Sequence, residues 1–316
     1  MDPLTCDIPD DLQGWRVDAA LAEQFPEYSR GVLQNWIRQG RVRVNGQGVK
    51  PSGKLVGGEH IELFPELVER VECEPQPVDL DVVYEDEDLL VINKPANLVM
   101  HPAAGNPDGT VQNGLLQHDR SLAHLPRAGI VHRLDKDTTG LFVVARNLRA
   151  HASLVAQLQA RTVHREYRAL ISGVMVAGGS VDAPIGRHPR DRKRMAVVDS
   201  GRPAVTHYRI LEKFTAHTSV SVELETGRTH QIRVHMAHLH YPLIGDPVYA
   251  GRLRIPAGVG ESLAEQLRAF PRQALHAIRL QLQHPSKREP VQWEVPLPDD
   301  FRQLLNTLRD DANTAN

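Results

Sequence analysis

The period of the apolar positions changes several times along this chain, and each change marks an element. Asp18 to Gln24 and Ser29 to Gln39 carry apolar residues at helical spacing. In the second segment Val32, Leu33, Trp36 and Ile37 form one stripe behind a Ser29 N-cap. Val42 to Val44 and Ile61 to Leu63 then read as short strands around the turn Asn45-Gly46. Residues 14–63 are therefore expected to form a small α/β module with Trp36 in its core. From 64 to 80 the pattern dissolves into Glu and Pro, with Pro65, Pro75 and Pro77, the composition of an extended acidic linker.

Strand patterning returns at 81. Val82-Val83-Tyr84 and Leu89 to Ile92 read as strands around an acidic turn. Ile130-Val131 and Leu141 to Ala145 flank Asp-Thr-Thr-Gly, which predicts strand, turn, strand, with Asp137 holding the turn through an Asx bond. Asn147 is placed to cap a helix to about Thr162, with Leu148, Ala152, Val155 and Leu158 on one face. Further strands are expected at 166–171, 204–211, 217–225, 274–283 and 290–295. His230 to Leu239 fits a strand or a helix equally well. A helix from Asp300 to Leu308 should end the larger domain, 81–308, leaving 309–316 as a polar, frayed tail.

Composition adds bounds. A chain of 316 residues with 41% hydrophobic and 24% charged residues is an ordinary globular protein of two domains. No apolar run reaches the length of a membrane span, and the acidic N-terminus lacks the regions of a signal peptide, so a cytoplasmic protein without membrane partners is expected. Cys6 and Cys73 stand far apart and suggest neither a metal knuckle nor a disulfide framework. The net charge of −2 conceals a segregation. Arg30, Arg38, Arg41, Arg43, Lys50 and Lys54 lie in an acid-free stretch, and Arg187 to Arg194 forms a second basic run. Polyanions respond to such local potential rather than to net charge.

The most concentrated chemistry lies between Gly129 and Arg146. Charged residues seldom end a buried strand without a use, so Asp135 is expected to face a cleft, with Arg133 on the same side. Tyr167 sits on a strand between Arg165 and Arg168. Thr226 to His235 places Arg228, His230, Gln231 and Arg233 behind a glycine turn, donors suited to phosphate and base edges. His230, His235, His238 and His240 match no usual metal-ligand spacing, and no phosphate loop, serine elbow or matched Cys–His pair is present. Neither metal nor cofactor is expected.

Several of these runs together resemble a known family. HRLDKDTTGLFVVAR, REYRAL and GRTHQIRVHMAH, with NKPANLVMHPAAGNPDGT, RHPRDRKRMAV, PAVTHYRIL and GDPVYAG, are similar to the pseudouridine synthases of the large ribosomal RNA type. The resemblance covers essentially all of 81–300. Residues 14–63 resemble the small RNA-binding module also found in a small-subunit ribosomal protein. Met100 departs from the family pattern, which has a β-branched residue there.

The resemblance implies an α+β fold, with a mixed, mostly antiparallel sheet crossed by an RNA-binding cleft, plus the N-terminal α/β RNA-binding module. It implies a cofactor-free isomerase, a monomer, that converts uridine to pseudouridine in large-subunit ribosomal RNA or a pre-ribosomal subunit, in a stem-loop such as helix sixty-nine. Asp135, Tyr167 and Arg233 then match the catalytic set, with Arg233 paired to Asp135, and Arg133 matches the arginine that displaces the target base. Lys94, Arg228, His230 and Gln231 are expected at the substrate, and Arg30, Arg38, Arg41 and Arg43 on RNA phosphates. A non-catalytic ribosome-assembly factor and a synthase acting on transfer RNA are the competing readings.

Overall fold

In a computed structural model of the chain, residues 3–25, 28, 30–65, 73–103, 105–191 and 194–314 are described. The chain divides into two units, Met1–Val71 and Glu72–Asn316. The first contains β1 (Leu4–Asp7), α1 (Val17–Gln24), α2 (Arg30–Arg38), β2 (Val42–Val44), β3 (Gln47–Gly48) and β4 (His60–Leu63). Its sheet runs β1-β4-β2-β3. The stripe on α2 does bury Leu33, Trp36 and Ile37 against Leu21, Val42, Ile61 and Leu63. The expected Ser29 cap lies outside the described residues.

Two details differ from expectation. Asn45 and Gly46, at φ 50° and 77°, turn β2 into β3 rather than into β4. Leu4–Asp7 adds an edge strand that its mostly exposed side chains did not announce. The basic stretch is also less free than its composition suggested. Arg30 donates to Asp18 at 3.0 Å, and Arg16 binds the same fully buried carboxylate. Asp18 lies outside the acid-free segment in sequence but within reach of it in space. Arg30 is thus a structural ion pair first. Arg38 and Arg43 are exposed, the latter with its guanidinium 5.2 Å from the Phe64 ring. Arg41 immediately precedes β2, its backbone N–H bonded to the Trp36 carbonyl.

The second unit contains β5 (Asp81–Glu85), β6 (Leu89–Lys94), α3 (Val111–His118), β7 (Thr139–Ala145), α4 (Leu148–Gln159), β8 (His164–Ser172) and β9 (Gly179–Asp182). There follow β10 (Ile185–Arg187), β11 (Met195–Val197), β12 (Val205–Lys213), β13 (His217–Leu224), α5 (Gln231–His238), α6 (Glu261–Ala269), β14 (Leu275–Gln283), β15 (Pro290–Glu294) and α7 (Asp299–Thr314). A nine-stranded sheet runs β5-β6-β7-β14-β8-β13-β12-β9, with β15 also on β14. Only the β7–β14 pairing is parallel. The fold is α+β with a mixed, mostly antiparallel sheet, as expected.

Both faces of the central strands are buried, which explains their continuous apolar runs. Leu90, Ile92, Phe142 and Val144 face one layer with Leu115 of α3 and Ile232 and Met236 of α5. Leu89, Val91, Leu141 and Val143 face the other with Ala150 and Leu154 of α4. The buried stripe of α4 is therefore Ala150 and Leu154, shifted from the face read in sequence, and Asn147 caps it through the Ala150 N–H. Met100 is buried in the first layer. Among the described residues no helix is long and apolar enough to cross a membrane.

Three readings are corrected here. Ile130 makes one bridge to Val144 and Val131 belongs to no strand, so Asp135 lies on an irregular loop rather than at a strand end. The His132 ring accepts the Val143 N–H at 3.1 Å where a neighbouring strand would have offered a carbonyl. The turn closes through the Thr138 N–H to the Asp135 carbonyl at 3.1 Å, not through the Asp137 side chain. The last helix continues to Thr314 instead of fraying after Leu308, because Arg309 pairs with Glu212 and Asp311 accepts the Gly260 N–H. Residues 73–80 of the expected linker lie alongside α3, where Asn113 donates to the Glu74 carbonyl, while 66–72 lie outside the described residues.

Gly140 fixes where the Asp135 loop enters the sheet. At φ 108° it opposes Ala277 in the parallel pair, and a Cβ there would stand 2.2 Å from the Ala277 carbonyl oxygen. Gly140→Ala is expected to cost about 3 kcal/mol or more, read as a fall in the urea midpoint. An unshifted midpoint would mean that the strand pair tolerates a side chain.

Candidate active site

The loop before β7, the middle of β8, the start of α5 and the turn after it converge on Asp135. Its Oδ2 accepts Nη1 of Arg233 at 3.1 Å. Arg233 is on the first turn of α5, and its Nε and Nη2 donate to both oxygens of Asp246 at 2.7 and 2.9 Å. Asp246 in turn accepts the N–H groups of Val248 and Tyr249. The guanidinium is thus held from behind and offers one forward donor to Asp135. Burial disfavours its charge, but the two carboxylates outweigh burial and raise its pKa. The same ion pair overcomes desolvation at Asp246 and holds that carboxyl below its ordinary value.

The other oxygen of Asp135 is nearly free. His230 Nε2 stands 3.8 Å from Oδ1, too far for a hydrogen bond. His230 itself takes the left-handed conformation, φ 56°, at the start of α5, and its Nδ1 bonds the Tyr249 hydroxyl at 2.8 Å. That hydroxyl also accepts the Met195 N–H at 3.0 Å, and the Arg233 guanidinium lies 5.1 Å from the ring centroid. Burial lowers the His230 pKa, partly countered by Asp135. At 14% side-chain exposure Asp135 is reachable yet largely screened from solvent.

Tyr167 belongs to the same face. It is 5% exposed on β8, opposite Ala277 of β14, and its hydroxyl has no hydrogen bond among the described residues. Burial raises its pKa, Arg165 lowers it and Asp135 raises it, so the phenol keeps its proton at neutral pH. A carboxylate with one uncommitted oxygen beside a buried phenol can attack an electrophilic carbon or abstract a proton.

The comparisons with known proteins agree over nearly the full length of the chain. The RNA pseudouridylate synthase family pattern matches residues 88–238, and the S4 domain pattern matches residues 15–61. The ribosomal large subunit pseudouridine synthase D of Pseudomonas aeruginosa is 55% identical over 305 residues, covering 96% of this chain and 95% of that protein. This chain belongs to the RNA pseudouridine synthases. It is an isomerase with an S4 domain at its N-terminus. The Escherichia coli protein of the same name is 54% identical over 309 residues, 98% of this chain and 95% of that one. Among solved structures, human RNA pseudouridylate synthase domain containing 4 superposes with a TM-score of 0.57 at 28% identity, over 72% of this chain and 93% of that one.

Within the enzyme the other expected contacts separate into two groups. Arg133 is exposed on the Asp135 loop and has no ion pair among the described residues. Gln231 is buried and fully occupied. Its amide binds Thr226, the Arg228 N–H, the Val205 carbonyl and Thr206, so it fixes the glycine turn rather than touching RNA. Arg228 Nε donates to the Pro203 carbonyl and so ties the glycine turn to the segment before β12. His235 is bonded to Thr206 and the Ala183 carbonyl, which separates it from His230.

Lys94 is corrected in the same way. It is 1% exposed, and its Nζ donates to the carbonyls of Pro95, Leu98 and Lys136 at 2.7, 2.9 and 2.7 Å. All three ammonium protons are used, one of them to pin the residue after Asp135. Burial lowers its pKa from 10.5 to about 7, against the pull of Asp137 and Asp135. Between these two values the unfolded chain binds more protons than the folded one, so Lys94 makes stability rise with pH over that window. Lys94→Met is expected to flatten that rise in melting temperature between pH 7 and 10.5. Equal slopes in the two proteins would contradict it.

Sequence reasoning missed Asp246 and Tyr249 as parts of the site. Their only signal was the segment GDPVYAG, which composition gives no reason to place beside Asp135.

Proposed function

We propose that this enzyme isomerises uridines in large-subunit ribosomal RNA and that Asp135 carries the reaction. The supporting observation is the oriented carboxylate, one oxygen held by Arg233 and the other open, next to Tyr167. The relatives' printed names, ribosomal large subunit pseudouridine synthase D, support the choice of RNA. The S4 domain and the exposed Arg38 and Arg43 supply the phosphate contacts that such a substrate calls for. A compact stem-loop with neighbouring uridines, such as helix sixty-nine, suits this combination of a sequestered carboxylate and a separate RNA-binding unit.

The base leaves the RNA stack before Asp135 can reach its sugar, and Arg133 fills the space it vacates. Asp135 assists cleavage of the bond between uracil N1 and the ribose. The uracil rotates in place, its C5 bonds to the same sugar carbon, and the C5 proton leaves. Tyr167 stacks on the ring and relays that proton, its hydroxyl giving up its own proton as the C5 proton arrives, and N1, freed from the sugar, ends protonated. Tyr167→Phe keeps the stacking surface and is expected to slow single turnover about a hundredfold; an equal rate would remove the proton-transfer role.

Substrate choice is tested by mapping pseudouridine after incubation of the protein with unmodified large-subunit, small-subunit and transfer RNA. Modification confined to the large-subunit RNA is expected. Modification of transfer RNA instead would replace the substrate while keeping the chemistry.

A further inference from the structure

Arg165 is a buried charge with no counter-ion. It lies two positions before Tyr167 on β8 and shares its face, about 7 Å away along the strand. The residue is 7% exposed, its Nε is buried without a partner, and its one hydrogen bond is a long 3.5 Å contact from Nη2 to the Leu224 carbonyl. Among the described residues no carboxylate pairs with it. Of the nearby acids, Glu225 binds Arg161 and His207, Glu166 binds Arg168 and Arg279, Asp135 binds Arg233, and Glu223, which lines the same cavity, makes no ion pair with Arg165. Folding an unpaired guanidinium into such a place is costly, and a stability role alone would favour an apolar residue.

The surroundings are shaped for it. The turn at Gly227 passes directly over the guanidinium, and a Cβ at that position would stand 2.9 Å from Arg165 Nη1. A side chain at that position would crowd the guanidinium, so the glycine spares its Nη1 a contact. The Arg165 charge is also felt at Tyr167 and His132, both beside the Asp135 loop.

We infer that Arg165 is a phosphate-binding residue of the active site, whose counter-ion is the RNA backbone next to the uridine held at Tyr167. The inference rests on the reading of this site as one that acts on RNA. RNA carries one full negative charge per nucleotide, and the planar guanidinium matches a phosphate with two parallel donors. The contact forms only when the target nucleotide is seated, so it couples seating to neutralisation of Arg165. Gly227 serves by absence.

The test compares wild type with Arg165→Met and Arg165→Lys on large-subunit RNA transcript. Arg165→Met should keep or raise the melting temperature, because it removes an uncompensated buried charge, yet bind RNA about tenfold more weakly. Its plot of log affinity against log salt should flatten by about 0.7, one single-strand phosphate contact. Arg165→Lys should recover most of that slope. Ethylation of phosphates in the wild-type complex should interfere at a position flanking the modified uridine, and that interference should vanish with Arg165→Met.

A lowered melting temperature with unchanged salt slope and unchanged interference would overturn the inference and make Arg165 a packing residue. Loss of turnover with intact interference would also overturn it, assigning Arg165 to Tyr167 rather than to phosphate. Wild-type turnover on the same transcript is the control. If wild type forms no pseudouridine, the underlying reading has failed; if it does, the inference alone is under test.

Discussion

Asp246→Ala is expected to destabilise the protein by roughly 3–5 kcal/mol and to slow pseudouridine formation about a hundredfold. Arg233 and Asp246 have side chains only 5% and 0% exposed, so removing the carboxylate leaves a buried guanidinium with Asp135 as its one remaining partner. Asp246 also accepts two backbone N–H groups, and their loss loosens the turn that carries Tyr249. Arg233 would then be free to close on both oxygens of Asp135, occupying the one that is now open. Asp246→Asn keeps one acceptor and the shape, and should fall between wild type and Asp246→Ala. Urea midpoints and single-turnover rates on the same preparations separate the two effects. A full rate in a destabilised Asp246→Ala would show that Arg233 needs no support to hold Asp135.

The strands were legible because the sheet is built from period-two and continuous apolar runs, as in Leu89 to Ile92 and Leu141 to Ala145. The α5 segment was not. Gln231 through Met236 are all buried, so no polar face distinguishes a helix from a strand there. Ile130-Val131 looked like a strand because a buried loop and a buried strand need the same residues; the His132 side chain does the bonding that a ladder would have done. The short strands β10 and β11 offer only three residues each and little burial to reveal them.

The site was legible unevenly. Asp135 stood out as a charge amid apolar residues, and its pairing with Arg233, 98 positions away, came only through the family resemblance. Gln231 and Lys94 looked like ligand-binding residues because polarity is visible in sequence and burial is not. Their hydrogen bonds to Thr206 and to the Lys136 carbonyl make them supports for the two segments that carry the site. Arg30 misled for a related reason, since the acid that neutralises it lies 12 positions away across a turn.

Asp135→Asn carries the largest expected effect. The amide preserves shape and can still accept from Arg233, while Asp246 continues to neutralise the guanidinium, so the fold should be nearly unchanged. Removing a carboxylate from a surface that faces a polyanion leaves affinity equal or slightly higher. The chemistry has no substitute group: no second carboxylate is bonded to Arg233 on the open side among the described residues. Product formation is expected to drop by about four orders of magnitude or more. A variant that bound RNA poorly would point instead to a carboxylate that orders the loop.

The most direct measurement is tritium release from C5 of labelled uridine in large-subunit RNA, with wild type and Asp135→Ala compared at equal RNA occupancy. Release by wild type alone, in step with pseudouridine formed, is the predicted result. Comparable release by Asp135→Ala would contradict the assignment of the reaction to Asp135.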